Sequence, residues 1–184
     1  NNKTVKKYSL GKTDCELSPV GLGCWQFSKG KGISGGMWQN LSSETEAEIV
    51  GVSLKGGVNW FDTAEIYGRG ESEKALSKAL ESNSIKSGDV IIATKWFPML
   101  RLAGSITRTI DERKENLSPF SIDLYQIHQP WSLSSIKKQM EKMAELVKSG
   151  DIRYVGVSNF NAKQMRKAHK ALKNEGIDLV SNQV

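Results

Sequence analysis

The sequence has little cysteine and little histidine, and these shortages argue against several kinds of site. Its 184 residues include two cysteines, Cys15 and Cys24, which form neither a CxxC motif nor a disulfide framework. We therefore expect two free thiols, as in a protein of a reducing compartment. The two histidines, His128 and His169, lie far apart and have no cysteine cluster beside them, so no metal site is predicted. We interpret His169 as a surface or boundary residue.

Long apolar runs are also missing. No stretch approaches the roughly 20 apolar residues of a membrane-spanning helix, and the lysines near the N-terminus have no apolar segment behind them. Neither a membrane partner nor a signal peptide is predicted. We expect a cytoplasmic protein.

The positive charge of the chain is not gathered into a patch. The net charge is +6, but the lysines are interleaved with glutamates, as in residues 137–142. A basic stripe with interspersed aromatic residues, which is typical of nucleic-acid binding, is absent. We expect no nucleic-acid partner. Any local cluster of positive charge is better explained by the binding of a small ligand that carries phosphate.

What the chain does contain is an alternation of short apolar runs and helical segments. Residues 7–18 predict a β-hairpin, and residues 28–36 predict a flexible loop. Strands are predicted at 20–25, 59–62, 90–94, 122–127, 152–157 and 179–184. Helices are predicted from a capping box at 43–46 up to Gly56, and at 72–80, 103–117, 133–149 and 161–174. The strands are mainly apolar without alternation, which indicates a parallel sheet covered by helices.

Six strands alternating with five helices are typical of two α/β folds, the doubly wound sheet and the (β/α)8 TIM barrel. A complete barrel needs about 250 residues, and this chain reaches Val184 in its sixth predicted strand. We expect a (β/α)8 barrel with an N-terminal hairpin, truncated after about six strands. No linker interrupts the pattern, so residues 1–184 are predicted to form a single, incomplete domain.

Polar side chains follow the predicted strands at their carboxyl ends. Ligands of parallel α/β folds bind at that edge. The residues are an acid, a phenol, an ammonium, an imidazole and three amide or hydroxyl groups: Asp62, Tyr67, Lys95, His128, Ser158, Asn159 and Gln183. Each alone has an ordinary explanation, such as an ion pair, a loop aromatic or a core histidine. Together they indicate an active site.

The types of these residues predict proton transfer to a carbonyl oxygen. The phenol of Tyr67 has an ordinary pKa near 10. We expect the Lys95 ammonium to lower that pKa, while Asp62 keeps Lys95 charged and oriented. The imidazole of His128 would hold a substrate oxygen in line with the phenol. Such a site is suited to protonating a carbonyl oxygen while a nucleophile such as hydride arrives at carbon.

Four stretches together resemble the aldo-keto reductase superfamily. They are Gly57-Val-Asn-Trp-Phe-Asp-Thr-Ala-Glu-Ile-Tyr-Gly68, Ile92-Ala-Thr-Lys-Trp96, Asp123-Leu-Tyr-Gln-Ile-His128 and Tyr154-Val-Gly-Val-Ser-Asn-Phe160. The likeness runs from about Tyr8 to Val184. It implies a (β/α)8 barrel closed at its base by an N-terminal hairpin, which matches residues 7–18. It also implies NADPH-dependent reduction of aldehydes and ketones, or the reverse reaction.

The resemblance also implies a role for each candidate residue. Tyr67 would be the general acid, Lys95 would lower its pKa, Asp62 would pair with Lys95, and His128 would orient the carbonyl. The residues that would contact the nicotinamide of the cofactor are Ser158, Asn159, Gln183 and Asp62. Trp25 and Trp96 are candidate walls of the substrate pocket, although packing at the barrel rim explains them equally well. The family's anchors for the cofactor's 2′-phosphate lie beyond the sixth strand, so NADH stays an alternative to NADPH.

Two other interpretations stay open. Family members that serve as potassium-channel β subunits often have Asn at the position of His128, so the histidine favours an enzyme over a non-catalytic or redox-sensing regulatory subunit. Relatives that reduce steroid double bonds carry Glu there, so carbonyl chemistry is favoured. Separately, residues 30–35 match GxGxxG, which would suit a doubly wound dinucleotide-binding domain. Those glycines do not open a helix, however, and Asp62 lies 27 residues beyond Gly35 rather than about 20 from the motif.

Overall fold

The structure, a computed structural model, describes residues 5–31 and 39–184. A hairpin of β1 (Tyr8–Ser9) and antiparallel β2 (Glu16–Leu17) comes first. One parallel sheet then contains β3 (Leu22–Gly23), β4 (Trp60–Asp62), β5 (Ile91–Trp96), β6 (Ile122–Ile127), β7 (Ile152–Ser158) and β8 (Leu179–Gln183). The α-helices of these ranges are α1 (Ser43–Lys55), α2 (Glu71–Ser82), α3 (Gly104–Arg108), α4 (Ile110–Leu117), α5 (Ile136–Ser149) and α6 (Ala162–Asn174).

The order of the strands in the sheet distinguishes the two predicted folds. Strands β3 to β8 lie side by side in the order in which they occur in the chain. A doubly wound sheet reverses its strand order at a switch point, whereas a (β/α)8 barrel adds each strand to the same edge. The barrel prediction is therefore confirmed as a curled sheet of six parallel strands. The doubly wound alternative is wrong.

The hairpin covers the inner face of the curled sheet at the amino ends of the strands. Leu10 and Cys15 pack against Ala93 of β5 and Leu124 of β6. The Trp60 Nε1–H donates to the Ser18 carbonyl over 3.0 Å. Both cysteines are buried free thiols. This placement agrees with the closing role that the resemblance implied for residues 7–18.

The helices pack on the outer face and bury the apolar residues of the strands. Phe61, Ile92 and Ile122 belong to one hydrophobic core with the buried faces of the helices. On α5, Met140 and Met143 have no exposed surface, as the predicted stripe requires. The helix begins later than predicted, because Ser135 caps it by accepting a hydrogen bond from the Lys138 backbone.

Two further element boundaries differ from the predictions. The predicted capping box at 43–46 is wrong, because the Ser42 Oγ accepts from the Thr45 N–H over 3.1 Å and so caps α1 one residue earlier. The predicted strand 20–25 is reduced to β3, since Trp25 begins a 3-10 helix that ends at Phe27.

The predicted helix 103–117 is also interrupted. It breaks at Thr109, whose hydroxyl donates to the Ser105 carbonyl over 2.7 Å, and continues as α4. Much of the flexible loop and of the GxGxxG motif lies outside the described residues.

Within residues 5–31 and 39–184, no helix has the length and apolar character needed to cross a membrane. Nowhere in the same ranges do three His, Cys, Asp or Glu side chains gather so that they could hold a metal ion.

Candidate active site

A buried ion pair forms the base of the site. The Lys95 Nζ donates to the Asp62 Oδ2 over 2.6 Å and to the Thr63 carbonyl over 2.9 Å. Strand pairing places Asp62 opposite Ala93, two residues before Lys95, so the lysine reaches across the ends of β4 and β5. Only 1% of Lys95 is exposed. The carboxylate therefore fixes the direction of the ammonium, as the sequence predicted.

The loop after β4 brings Tyr67 over this pair. The centroid of the Tyr67 ring lies 5.3 Å from the Lys95 Nζ. The loop can turn so tightly because Gly68 has a φ of 66°. A Cβ on Gly68 would come within 2.3 Å of the Ser28 carbonyl oxygen. Glycine is thus required immediately after the tyrosine, and the loop is held against the segment that follows β3.

The environment of Tyr67 changes its acidity in the opposite direction to the one expected. Burial, together with the negative charge of Asp62, raises the pKa of Tyr67 to about 12. The net shift of the pKa is therefore upward, whereas the sequence led us to expect a lowered value; the Lys95 ammonium is paired with the Asp62 carboxylate. The phenol stays protonated at neutral pH.

His128 lies at the end of β6 and faces the same ring. Its imidazole packs edge-to-face against Tyr67, with 5.6 Å between the ring centroids, and against Phe97 at 5.5 Å. Burial and the charge of Lys95 lower the pKa of His128 to about 4. Its Nδ1 is buried and has no hydrogen-bond partner among the described residues. The imidazole is therefore neutral at physiological pH and keeps hydrogen-bonding capacity free.

The polar groups at the carboxyl ends of β7 and β8 join the same site. The Gln183 Nε2 donates to the Asp62 Oδ2 over 3.0 Å. The Ser158 Oγ donates to the Gln183 carbonyl over 2.8 Å, and the Asn159 Nδ2 donates to the His128 carbonyl over 3.2 Å. The structure thus brings these three residues together with Asp62 and His128, although they come from four strand ends.

The chemistry of these groups fits a nicotinamide carboxamide. The amides of Asn159 and Gln183 are exposed at the rim and each offers both a donor and an acceptor. A carboxamide needs one partner of each kind. Ser158 is buried, and its Oγ donates to the Gln183 carbonyl and accepts from the Asn159 Nδ2, so it supports the other two residues.

The two predicted tryptophans have different surroundings. Trp25 is partly exposed and stacks on Tyr67, with 6.1 Å between centroids, so it lies where a pocket wall was predicted. Trp96 has no exposed surface, and its Nε1–H donates to the Ser105 Oγ over 2.9 Å. This placement argues against Trp96 as a wall of the substrate pocket. The next residue, Phe97, is the one that reaches His128.

Sequence reasoning missed Gln126 and the charged residues behind the site. Gln126 is 2% exposed and its Nε2 lies 3.4 Å from the Asp62 Oδ1. A glutamine inside the mainly apolar strand 122–127 could have indicated this position. Arg113 is equally buried and pairs with Glu65 and Glu73. Its helical spacing from the apolar Ile110 and Leu117 could have revealed its inward position. His169 is exposed, as predicted.

Comparison with known proteins agrees with this geometry. The family model described as "Aldo/keto reductase family" matches residues 19–184. The chain is 36% identical over 165 residues to aldo-keto reductase YhdN of Bacillus subtilis, a match that covers 85% of this chain and 48% of that protein. Among solved structures, the thermostable aldo-keto reductase Tm1743, bound to the inhibitor epalrestat, has a TM-score of 0.84 at 28% identity. That match covers 98% of this chain and 62% of the other.

A more distant structure shows the same fold. An aldo-keto reductase from Klebsiella pneumoniae in complex with NADPH has a TM-score of 0.78 at 23% identity, over 98% of this chain and 58% of that one. The chain spans about half the length of the curated relatives it matches. The family match, the strand order and the arrangement of Asp62, Tyr67, Lys95 and His128 lead to one conclusion. The chain belongs to the aldo/keto reductase family of oxidoreductases.

Proposed function

We propose that the protein reduces the carbonyl group of an aldehyde or ketone to an alcohol, with NADPH as the reductant and Tyr67 as the general acid. One observation carries the proposal: the Tyr67 ring lies between the buried Lys95–Asp62 pair and the imidazole of His128. A phenol, an ammonium and a neutral imidazole thus converge on one edge of the sheet, where a carbonyl oxygen would be protonated.

Tyr67 is suited to give its proton late in the reaction. With its pKa raised to about 12, the phenol is fully protonated at neutral pH and does not lose its proton to water. It gives up that proton only to a stronger base, such as the alkoxide that develops when hydride adds to the carbonyl carbon. The Lys95 Nζ lies 5.3 Å from the centroid of the ring that becomes the tyrosinate, and the tyrosinate then regains a proton from solvent.

His128 is suited to orient the substrate without exchanging a proton. Its pKa of about 4 keeps the imidazole neutral in the cell. A neutral ring donates one hydrogen bond to the carbonyl oxygen and does not repel Lys95. Its contacts with Tyr67 and Phe97 fix the plane of the ring. The substrate oxygen is therefore directed toward the phenol.

The nicotinamide, when bound, supplies the hydride. Asn159 and Gln183 would hold its carboxamide, and Asp62 lies beside them through its hydrogen bond from Gln183. The NADPH complex of the Klebsiella pneumoniae relative supports a nicotinamide cofactor for this fold. We propose NADPH rather than NADH because the sequence resembles the aldo-keto reductase superfamily, whose reactions depend on NADPH.

The proposal is tested with protein expressed from its full coding sequence. Oxidation of NADPH is followed with a panel of aldehydes and ketones. Tyr67→Phe should lower kcat by about 10²–10⁴-fold, the usual contribution of a general acid, and should leave NADPH binding unchanged. Tyr154→Phe is the matched control, because that hydroxyl bonds Asp14 beneath the sheet, far from the site. Cofactor binding without turnover of any carbonyl would favour the regulatory-subunit interpretation.

A further inference from the structure

A group of buried charges lies behind the loop that carries Tyr67. It consists of Glu65, Glu73, Arg101 and Arg113, and we refer to it as the Glu65 cluster. Three of its members, Glu65, Glu73 and Arg113, are at most 9% exposed. The proposed reaction assigns roles to Tyr67 and His128 but none to these four residues, so the cluster is still unexplained.

Glu65 connects the two loops that hold the reacting groups. It lies two residues before Tyr67, in the loop after β4. Its Oε1 accepts from the Phe97 backbone N–H over 2.5 Å and from Arg101, and its Oε2 accepts from the Arg113 Nη1–H over 2.6 Å. Phe97 is the residue whose ring packs on His128. One carboxylate therefore ties the Tyr67 loop to the residue that packs against the imidazole.

Arg113 attaches this carboxylate to the rest of the fold. From α4 its Nε donates to the Glu73 Oε2 over 2.8 Å. The other oxygen of Glu73, on α2, accepts from the Thr94 Oγ1 over 2.6 Å. Thr94 immediately precedes Lys95 on β5. The Glu65 cluster thus contacts β5 next to Lys95, as well as the loop that carries Tyr67.

Stability alone does not account for such an arrangement. Burying two carboxylates and a guanidinium costs desolvation free energy, which well-placed partners only offset, and apolar residues of similar volume often stabilise a core at least as well. Buried charges do fix direction, because the planar guanidinium of Arg113 donates along fixed directions, one bond to Glu65 and one to Glu73. The cluster is better suited to setting the position of the loop than to strengthening the core.

We infer that Glu65 is a positioning residue, held by Arg113, that sets the distance between Tyr67 and His128. The inference rests on the proposed function, since it assigns the cluster a part in the same reaction. Glu65 acts through the loop and through Phe97 and does not itself touch the substrate. Loss of the carboxylate should therefore displace the phenol and the imidazole relative to each other.

The first test is kinetic and uses Glu65→Gln in the full-length protein. Glutamine keeps the size of the side chain but places an amide N–H toward the arginines, which are donors themselves. We expect kcat to fall by roughly tenfold to a hundredfold, the effect of a small misplacement of reacting groups. The KM for NADPH should stay within about twofold, because Asn159 and Gln183 are untouched. In a Tyr67→Phe background, Glu65→Gln should have little further effect on kcat, since the two act as a unit.

The second test does not depend on turnover. The pKa of His128 is measured by NMR titration, with its signal identified by its loss in His128→Asn. In Glu65→Gln the released Phe97 should let water reach the imidazole, so the pKa of His128 should rise from about 4 toward its ordinary value of 6.5. Glu112→Gln is the matched control. It removes another carboxylate bonded to Arg113, over 2.7 Å, but on the exposed side of α4.

The outcomes separate this inference from the proposed function. If Glu65→Gln and Glu112→Gln both leave kcat and the pKa of His128 unchanged, Glu65 has no positioning role. If the wild-type protein turns over no carbonyl while Glu65→Gln still shifts the pKa of His128, the proposed function fails and the positioning role stands. Should Glu65→Gln not fold, Arg101→Gln removes one of the donors to Glu65 from a partly exposed site and should produce the same shifts at smaller size.

Discussion

Lys95 donates to Asp62 over 2.6 Å at a place where both side chains are almost completely removed from water. The pair is completed by further hydrogen bonds, from Lys95 to the Thr63 carbonyl and from Gln183 to Asp62. Buried ions are tolerated only when partners satisfy them in this way. The pair is therefore both the base on which Tyr67 lies and a point at which the fold is sensitive to substitution.

Replacing Lys95 by methionine should expose that sensitivity. Lys95→Met leaves the Asp62 carboxylate buried without its counter-charge, and we expect a loss of about 3–5 kcal/mol in the free energy of unfolding. Urea denaturation at neutral pH measures it. The control is Lys142→Met, which breaks an exposed pair with Glu145 on α5 and should cost less than about 1 kcal/mol. Equal losses in the two variants would contradict the importance of the buried pair.

The lowered pKa of His128 predicts a pH dependence of stability. The folded pKa is about 4 and the ordinary value is 6.5, so between these values the unfolded chain binds a proton that the native chain does not. Stability should therefore fall as the pH decreases from about 6.5 to about 4. Urea midpoints measured across this range should fall less steeply in His128→Asn. His169→Asn, at an exposed position, should keep the wild-type slope, and a wild-type slope in His128→Asn would refute the prediction.

Two variants of Asn159 distinguish the loss of its proposed contact with the cofactor from strain in its backbone. Its φ is 60°, in the left-handed region that glycine adopts freely. Both Asn159→Gly and Asn159→Ala should raise the Kd for NADPH by about tenfold, because each removes the amide. Only Asn159→Ala should also lose about 1–2 kcal/mol of stability through backbone strain. Fluorescence titration and thermal unfolding of the pair of variants distinguish the two effects, and unchanged NADPH affinity would remove Asn159 from the cofactor site.

The two tryptophans of the site region should respond in opposite ways. Trp96→Phe leaves a cavity in the core and breaks the bond to Ser105, so we expect a stability loss of roughly 1–3 kcal/mol with an unchanged KM for carbonyl substrates. Trp25→Phe should change that KM with little effect on stability, because Trp25 stacks on Tyr67 at the rim. Thermal unfolding and steady-state kinetics of both variants test this. A raised KM in Trp96→Phe alone would restore Trp96 as a pocket wall.

Local patterns predicted much of the fold. The strand at 122–127 was predicted with its observed ends, and α6 begins where Asn161 caps it with its own side chain. These features depend on residues near one another in the chain, and such contacts leave periodic signals. Some boundaries were missed because a neighbouring residue supplied a cap or a break, as at Ser42 and Thr109, and one was missed where a tertiary contact also takes part. That boundary is the late start of α5, where the Ser134 Oγ accepts a hydrogen bond from the Ala103 backbone N–H over 2.8 Å.

The sequence predicted which strand-end residues lie together, but it missed Gln126 and it did not predict the energetics of the site. Asp62, Lys95 and His128 stand at strand ends, and parallel strands bring their ends to one edge whatever the details of packing. The pKa of Tyr67 depends instead on how completely the fold removes the phenol from water, which no local pattern states. The bond between Arg113 and Glu65 joins residues 48 positions apart in the chain, so it too required the folded arrangement.

The sequence by itself determined the α/β alternation, the family and the residues that could move a proton, because these follow from spacing and side-chain type. Only the tertiary structure decided the order of the strands, the burial of Trp96 and the raised pKa of Tyr67. The physical reason is the same for all three. Pairing order, desolvation and the engagement of Lys95 by Asp62 are properties of groups brought together from distant parts of the chain.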